Sequence, residues 1–292
     1  MREFVYVAPQ SIEEAVDELR RGDGRLLAGG TDLLPQLREG RRSTGRIIDL
    51  KRIGELGGVQ SRPDGGVEIG AAMSATRVAR HDTIAGAYPA IATSARLIGA
   101  VQVQNRASLG GNVCNAAPSA DAVPGLICYE ARAHIAGPKG RRQLPLEAFF
   151  LGPGKTVLEP DELLVSLVLP PVLQRSATTY LRFTPRREMD IAIAGVGVRL
   201  DLAEDRSLAL ARVALASVGP TPLRAVAAEQ ILQGNRLNRD LAAAAAGAAA
   251  AAARPISDTR ASADYRRSLV AVLTRRAVAA CAHSLQVVLD PV

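Results

Sequence analysis

Ser108-Leu109-Gly110-Gly111-Asn112 is the stretch that most constrains the fold of this 292-residue chain. Two adjacent glycines stand between a serine hydroxyl and an asparagine amide, so no Cβ atom shields the loop backbone. Backbone N–H groups of such a loop can face one concavity, which is how proteins hold a pyrophosphate without a large cation. The loop continues to Pro118-Ser119-Ala120-Asp121 within a region, residues 101–124, that is predicted to be irregular. Irregular regions of this length in a compact domain usually carry a function.

A second glycine loop, Ala28-Gly29-Gly30-Thr31-Asp32, lies nearer the N-terminus. The short apolar run at 25–28 predicts a strand before it, and residues 33–37 predict a short helix after it. On its own this loop is also compatible with an ordinary turn, because a Gly-Gly pair readily adopts positive φ.

The sequence around these loops predicts a small α/β unit followed by further strands and helices. Ser11 and Glu14 form a capping box, and the helix they begin ends near Gly22. Its apolar face is predicted to contain Ile12, Ala15, Val16 and Leu19. Further strands are predicted at 47–50, 67–70, 131–136 and 163–169, and helices from 74 to about 99. Pro170-Pro171 interrupts the chain, so we expect the domain boundary there.

The C-terminal part has a different pattern, with strands followed only by helices. Strands are predicted near 178–183, 193–202 and 208–218. Thr221-Pro222 is expected to begin a helix that ends at Gly234, and Asn238 to begin the alanine-rich helix. An i+4 stripe predicts the last helix through Leu269, Leu273, Ala277, Cys281 and Leu285. A three-stranded sheet followed by three helices is the simplest model for this half.

Composition excludes several classes of protein. Lys and Arg exceed Asp and Glu by 36 to 29, but they are scattered and only 3% of residues are aromatic, so a nucleic-acid partner is not predicted. The first residues lack a signal-peptide pattern, and no apolar run approaches the roughly 20 residues that span a bilayer. We therefore expect a cytoplasmic protein without a transmembrane segment. Cys114, Cys128 and Cys281 are odd in number and widely spaced, which argues against a disulfide framework or a metal site.

Two common phosphate-binding motifs are missing from the sequence. No Gly-x-Gly-x-x-Gly follows a predicted strand, so a Rossmann dinucleotide fold is not expected. Gly154-Lys155-Thr156 resembles the end of a Walker loop, but Phe149 stands where that motif needs glycine. We interpret this segment as a surface turn.

Three motifs in this order resemble the flavoprotein subunit of the molybdenum hydroxylase family. They are Ala-Gly-Gly-Thr-Asp-Leu-Leu at 28–34, Ser-Leu-Gly-Gly-Asn at 108–112 and Arg-Arg-Glu-Met-Asp-Ile-Ala at 186–192. The family includes the medium subunit of carbon monoxide dehydrogenase and the FAD domain of xanthine dehydrogenase. The resemblance extends over nearly the whole chain, including Pro-Asp-Glu-Leu-Leu at 160–164.

The resemblance implies an α+β protein with an FAD-binding domain of the vanillyl-alcohol-oxidase type. This domain would cover residues 1–172, with two α/β subdomains at about 1–56 and 57–172 that hold an extended FAD. A smaller α+β domain of the carbon monoxide dehydrogenase flavoprotein type would cover 173–292. It would contain a three-stranded antiparallel sheet and a helical bundle.

The resemblance also implies a set of residues that bind FAD non-covalently. Both glycine loops would contact the pyrophosphate, Asp121 would accept hydrogen bonds from hydroxyls of the flavin half, and Leu164 would flank the adenine or the ring. Ile191 would lie close to the isoalloxazine, and Arg182 stands where related chains often carry lysine. The implied cofactor-binding residues are Leu27, Ala28, Gly29, Gly30, Thr31, Asp32, Leu33, Ser108, Gly110, Gly111, Asn112, Asp121, Leu164, Arg182 and Ile191.

In such a family the chain is the oxidoreductase subunit that passes electrons from [2Fe–2S] clusters through FAD to an external acceptor. The resemblance implies two partners, a small [2Fe–2S] subunit and a large molybdopterin subunit, assembled as a dimer of heterotrimers. The substrate would be oxidised on the large subunit, and NAD, oxygen, quinone or a carrier protein could be the acceptor. A subtype with an additional [4Fe–4S] cluster in this subunit is disfavoured, because three scattered cysteines cannot supply four ligands.

The flavin would do the chemistry, so no catalytic residue and no metal ligand is expected in this chain. His81, His134 and His283 are isolated and lie outside the glycine loops. Two alternatives remain: a stand-alone FAD-dependent reductase or oxidase of the same superfamily, and a nucleotide-binding scaffold without redox activity. The first needs a proton donor beside the flavin, which the sequence does not offer, and the second predicts a colourless protein.

Overall fold

The first unit of the fold is a small parallel sheet with two helices. The computed structural model describes residues 3–289, so the outermost residues of the two predicted domains, 1–2 and 290–292, lie outside the described part. The elements of this unit are β1 (Val5–Val7), α1 (Ile12–Arg20), β2 (Gly24–Leu27), α2 (Leu33–Arg38) and β3 (Arg46–Asp49). The three strands pair in the order β1-β3-β2, with both pairs parallel. The first glycine loop thus leaves the carboxyl end of β2.

The predicted first helix is confirmed together with its cap and its buried face. The Ser11 hydroxyl accepts a hydrogen bond from the Glu14 N–H at 3.1 Å, and the Glu14 carboxylate accepts one from the Gln10 N–H. The buried residues of α1 are Ile12, Ala15, Val16 and Leu19. They pack in one cluster with Leu163 and Val165, which joins the first unit to the sheet of the second.

The second unit is built on an antiparallel sheet. Its five main strands are β4 (Val59–Ser61), β5 (Val67–Gly70), β6 (Arg132–Gly137), β7 (Gly140–Pro145) and β10 (Leu163–Leu169), in the order β4-β5-β10-β6-β7. Its helices are α3 (Ala75–Arg80), α4 (Asp82–Ala87), α5 (Pro89–Leu97), α6 (Val101–Gln104), α7 (Leu109–Cys114) and α8 (Ala122–Cys128). Short 3₁₀ turns cover Leu50–Arg52, Gly54–Gly57 and Leu146–Phe149. The central strand β10 is buried along its whole length, as its apolar sequence predicts.

The prediction that residues 101–124 are irregular is wrong, because α6, α7 and the start of α8 lie there. The Ser108 hydroxyl caps α7 by accepting the Gly111 N–H at 3.0 Å. Glycine lowers helix propensity, but a Cβ at Gly110 would stand 2.5 Å from the Cβ of Ala71. Close packing against Ala71 therefore outweighs propensity, and sequence periodicity does not reveal such a contact.

The segment at 154–156 lies at the turn and second strand of a small hairpin, in which residues 153–154 connect β8 (Phe150–Gly152) to β9 (Lys155–Thr156). Gly154 has φ +68°, as a tight turn requires. The interpretation as a turn rather than a Walker loop is confirmed.

The C-terminal unit is a sheet covered by helices. Its strands are β11 (Ser176–Phe183), β12 (Ala194–Leu202), β13 (Leu208–Ala216) and β14 (Leu223–Arg224), and its helices are α9 (Val226–Leu232), α10 (Arg239–Ala252) and α11 (Ala263–Ser284). The sheet is antiparallel in the order β11-β12-β13-β14. The predicted three-stranded sheet is therefore wrong by one strand. Residues 223–224 pair with 214–215, so Thr221-Pro222 precedes a short strand instead of capping the helix, which begins at Val226.

The remaining helix predictions in this unit are confirmed. The Asn238 side chain accepts the Leu241 N–H at 2.8 Å and caps α10. The predicted stripe of α11 packs into one cluster with the sheet; Leu273, Ala277 and Cys281 are buried in it.

Both faces of the C-terminal sheet are covered. Val196, Val198 and Leu200 of β12 pack in one cluster with α11, while the opposite face of the strand contacts α8 of the second unit. A Cβ at Gly197 would stand 3.0 Å from the backbone of Pro124, so glycine allows α8 to lie directly on the strand. Among residues 3–289, none of the helices is both long enough and apolar enough to cross a bilayer.

Candidate functional site

A cleft of about 860 Å³ runs between the first unit, the second unit and the start of the C-terminal sheet. Its size lies within the usual range for small-molecule and cofactor sites, roughly 300–1,000 Å³. Its walls come from residues 24–33, from 107–121, from 154–164 and from the segment 189–191. All three structural units therefore contribute to one cavity.

The first glycine loop presents a row of free backbone donors. Within residues 3–289, no acceptor is bonded to the N–H groups of Gly29, Gly30, Thr31 and Asp32. Gly30 has φ +76°, which turns the backbone so that successive N–H groups can point to one side. Such a concave row of N–H groups is an anion-binding arrangement that suits a pyrophosphate.

The first glycine loop touches the backbone of residues 106–107, directly before the second glycine loop. A Cβ at Gly29 would stand 2.1 Å from the carbonyl oxygen of Arg106, closer than any side chain allows. Only glycine permits this contact, which brings the first loop against residues 106–108 and closes one wall of the cleft.

The second loop contributes differently from the prediction. Its N–H groups are already used: Leu109 and Gly110 donate to the carbonyls of Met73 and Ala71, and Gly111 donates to the Ser108 hydroxyl. The prediction that these N–H groups line the concavity is therefore wrong. The loop instead presents the Asn112 side chain, whose Oδ1 is buried without a hydrogen-bond partner among the described residues. A buried acceptor of this kind fits a hydroxyl or amide donor of a ligand.

Asp121 lies at the cleft and belongs to a buried cluster of polar side chains. One carboxylate oxygen accepts a hydrogen bond from the Tyr180 hydroxyl at 2.7 Å, and the other accepts one from Arg182 Nη1 at 2.5 Å. Each oxygen keeps a second lone pair for a ligand. Burial raises the pKa of Tyr180 well above its ordinary value, and the Asp121 carboxylate raises it further, so Tyr180 remains a donor at all ordinary pH values.

Arg182 is the one predicted residue that does not line the cleft. Its side chain is only 5% exposed and lies behind Asp121, with which it forms an ion pair. The structure therefore corrects its role from a cofactor contact to a partner of Asp121.

The segment 184–192 forms one rim of the cleft. Asp190 accepts hydrogen bonds from the N–H groups of Arg186 and Ile191, and these bonds lower the pKa of its carboxyl. The Met189 N–H donates to the Gly99 carbonyl at 3.2 Å, which fastens the segment to the second unit. Met189 and Ile191 are 57% and 46% exposed, so two apolar side chains stand at the mouth of the cleft. Leu164 closes the opposite wall from the buried strand β10.

All the other predicted residues are brought together in this cleft. The sequence prediction missed Tyr180, Met189, Asp190 and Ser119. The motif at 186–192 already placed Met189 and Asp190 beside Ile191, whereas Tyr180 is an ordinary strand residue that gives no sequence signal. Cys114 also lines the cleft, and burial raises the pKa of its thiol to about 12, so it is neutral there.

Two charged features of the cleft are relevant to an anionic ligand. Desolvation raises the pKa of Asp32, which lies beside the free N–H row, and the charge of Arg42 partly opposes this shift. The three histidines lie outside the cleft lining, and no cluster of metal-ligating side chains is found in the described part of the chain.

A cleft with a free N–H row, shared by two sheet-based units and capped by a third, defines a dinucleotide-binding protein of the non-Rossmann type. Comparison with known proteins makes this specific. The family model described as FAD binding domain in molybdopterin dehydrogenase matches residues 2–172. The model described as CO dehydrogenase flavoprotein C-terminal domain matches residues 179–281.

Relatives that match nearly the whole chain agree with these two family models. The xanthine dehydrogenase FAD-binding subunit of Escherichia coli O157:H7 is 34% identical over 267 residues, covering 90% of this chain and 91% of the relative. The carbon monoxide dehydrogenase medium chain of Hydrogenophaga pseudoflava is 34% identical over 278 residues, covering 94% and 96%.

Solved structures give the same result. Carbon monoxide dehydrogenase from Hydrogenophaga pseudoflava superposes with a TM-score of 0.92 at 34% identity, covering 96% of this chain and 97% of that one. Quinoline 2-oxidoreductase from Pseudomonas putida 86 has a TM-score of 0.90 at 27% identity, covering 97% and 98%. This chain belongs to the family of FAD-binding medium subunits of molybdenum hydroxylases. The stand-alone reductase or oxidase is not favoured, since these relatives are dehydrogenase subunits.

Proposed function

We propose that FAD lies along the cleft with its pyrophosphate at the free N–H groups of residues 29–32. The observation that carries this proposal is the row of unpaired backbone donors, which would satisfy phosphate oxygens directly. The unpaired Asn112 Oδ1 and the second lone pairs of Asp121 supply acceptors for hydroxyl groups along the same cleft.

The proposed non-covalent FAD-binding set follows from the lining of the cleft. It comprises Leu27, Ala28, Gly29, Gly30, Thr31, Asp32, Leu33, Ser108, Gly110, Gly111, Asn112, Asp121, Leu164 and Ile191. Ser108 contributes through its cap on α7, and Leu164 and Ile191 contribute apolar contact. These residues bind and orient the cofactor and exclude water from one side of it.

When bound, FAD would supply the redox chemistry, taking electrons from [2Fe–2S] clusters of a small subunit and passing them to an external acceptor. The chain itself needs only to hold the cofactor and leave one part of it accessible. The exposed rim at Met189 and Ile191 is consistent with an opening on the side of the C-terminal unit.

We further propose a cytoplasmic assembly with a [2Fe–2S] subunit and a molybdopterin subunit, arranged as a dimer of heterotrimers. The support is family membership and the relatives that are named as chains of dehydrogenases. Within this assembly, residues 1–172 would form an FAD-binding domain of the vanillyl-alcohol-oxidase type, divided near residue 56, and residues 173–292 a separate domain. The separation of the parallel and antiparallel sheets supports the inner division.

The test is the visible absorption spectrum of the chain, purified after co-expression with its genomic neighbours, together with metal analysis. We expect flavin bands, flavin released by denaturation, and iron and molybdenum in the purified complex. Flavin without either metal, with reductase activity in the isolated chain, would favour the stand-alone enzyme. A colourless protein would contradict FAD binding altogether.

A further inference from the structure

Arg266 is a buried arginine on the long helix α11, outside the cleft. Its side chain is 5% exposed, and it pairs with Asp258 at 2.7 Å between Nη2 and Oδ1. The bonds to Arg266 lower the pKa of the Asp258 carboxyl to about 2, so both groups remain charged at neutral pH. This ion pair uses only one of the two terminal nitrogens of the guanidinium.

The other terminal nitrogen joins two strand ends. Arg266 Nη1 donates to the carbonyl oxygen of Ile193 at 2.8 Å and to that of Ser217 at 3.2 Å. Ile193 directly precedes β12, and Ser217 directly follows β13; the two strands pair there through Gly195 and Ala216. Arg266 therefore fastens the end of the sheet that faces the cleft.

Both strand ends continue into the walls of the cleft. Ile193 follows the rim residues 189–191, whose side chains stand at the mouth. The Ser217 N–H donates to the Pro118 carbonyl at 2.7 Å, and residues 117–121 form part of the cleft wall that includes Asp121. Ser217 has φ +66°, an uncommon conformation for a residue with a side chain, so it requires support from its surroundings.

Arginine suits this position better than any other side chain. Its planar fork has donors in fixed directions, so one group can serve a buried carbonyl, a partly buried carbonyl and a carboxylate at once. A lysine ammonium keeps the charge but is a single point on a flexible stem, and an apolar side chain would leave the Ile193 and Ser217 carbonyls without this donor.

We propose that Arg266 is a positioning residue of the FAD site: it sets the rim at 189–191 and the wall at 117–121 without touching the cofactor. This inference rests on the proposed function, since it assumes that FAD lies in the cleft. Loss of Arg266 should therefore change how the flavin is held more than it changes the stability of the domain.

The experiment compares Arg266→Met, Arg266→Lys and Arg199→Met in the full-length chain co-expressed with its partners. Arg199 is the matched control, because it is equally buried, pairs with Asp201 at 2.7 Å on the same sheet, and does not line the cleft. Three quantities are measured for each variant: the melting temperature, the FAD dissociation constant after removal of the flavin, and the midpoint potential of the bound flavin.

We expect Arg266→Met to raise the FAD dissociation constant about tenfold or more and to shift the midpoint potential. Arg266→Lys should raise the FAD dissociation constant less and shift the midpoint potential less, in the same direction. If Arg266→Met does not fold, Arg266→Lys alone provides the test. Arg199→Met should lower the melting temperature with FAD binding unchanged. The inference is overturned if the Arg266 variants bind FAD like the wild type. It is also overturned if the Arg266 and Arg199 variants both lose FAD affinity only in proportion to their loss of stability. A wild-type chain that binds no FAD would refute the proposed function itself.

Discussion

Single residues build this cleft mainly through the absence of side chains. Gly29 lies so close to Arg106 that no Cβ fits, and Gly30 turns the backbone with φ +76°. The polar side chains that remain, Asn112 and Asp121, supply acceptors, while the backbone supplies donors. Backbone N–H groups can bind an anion directly in such a division, and Arg25 and Arg42 also line the cleft.

Replacing Gly29 with alanine should remove FAD binding. The new Cβ would meet the Arg106 carbonyl, so the two loops must separate and the N–H row must move. The control is Gly86→Ala in α4, where a Cβ meets nothing within 4 Å. Flavin content per chain and melting temperature are measured for both; a Gly29→Ala chain with full flavin content would contradict the role assigned to this contact.

Asp258 should make the stability of the chain depend on pH in a defined window. Because its pKa is lowered to about 2 in the folded state from an ordinary value near 3.8, its contribution is present above about pH 4. That contribution is lost as pH falls toward 2, when the folded carboxylate becomes protonated. Urea unfolding of the wild type and Asp258→Asn between pH 2 and 6 is the measurement. The two stabilities should differ above pH 4 and converge below it; a difference independent of pH would contradict the assignment.

At the scale of elements, the sequence predicted those helices and strands that depend on interactions between neighbouring residues. The capping box of α1, the cap of α10 and the buried strand β10 were all predicted from neighbouring residues and confirmed. The helix α7 and the strand β14 were missed, since α7 depends on contact with Ala71 and β14 on pairing with β13. The contact between Gly110 and Ala71 joins residues distant in sequence, and the pairing of β14 depends on the turn after β13; periodicity shows neither.

Two substitutions in α10 should change stability in opposite directions. Gly247 is exposed in the middle of the helix with open space around it, so Gly247→Ala should stabilise the fold by about 0.5–1 kcal/mol. Asn238→Ala should remove the cap on the Leu241 N–H and cost about 1 kcal/mol. The free energy of unfolding in urea measures both. A destabilising Gly247→Ala would mean that another molecule packs closely on this face.

On the scale of the whole molecule, the cleft belongs to no single unit. Of the fifteen residues that the resemblance implied, fourteen line the cleft, together with other residues that the motifs did not indicate. Tyr180, Arg182 and Arg266 do not line the cleft, and they act from the C-terminal unit on residues far away in sequence. Sequence motifs indicate residues that line the cleft. The residues that support this lining from behind can be identified only in the folded chain, where the C-terminal sheet packs on α8.

Deletion of residues 173–292 should therefore abolish flavin retention and weaken assembly with the partner subunits. It removes the rim at 189–191 and both donors to Asp121. The full-length Arg182→Met variant is the companion, because it breaks the ion pair without uncovering α8. Flavin content and co-purification with the other subunits are measured. A truncated chain that co-purified with both in full yield would contradict this prediction.

The contact between Gly29 and Arg106 also constrains how this chain can evolve or be engineered. Segments in backbone contact cannot change in sequence independently, since an insertion or a bulkier residue in one displaces the other. Recombination between homologues near residue 56 would separate the loops and join mismatched halves of the same wall. A mutant library that aims to change cofactor preference should therefore vary residues 28–32 and 106–108 together in the same variants.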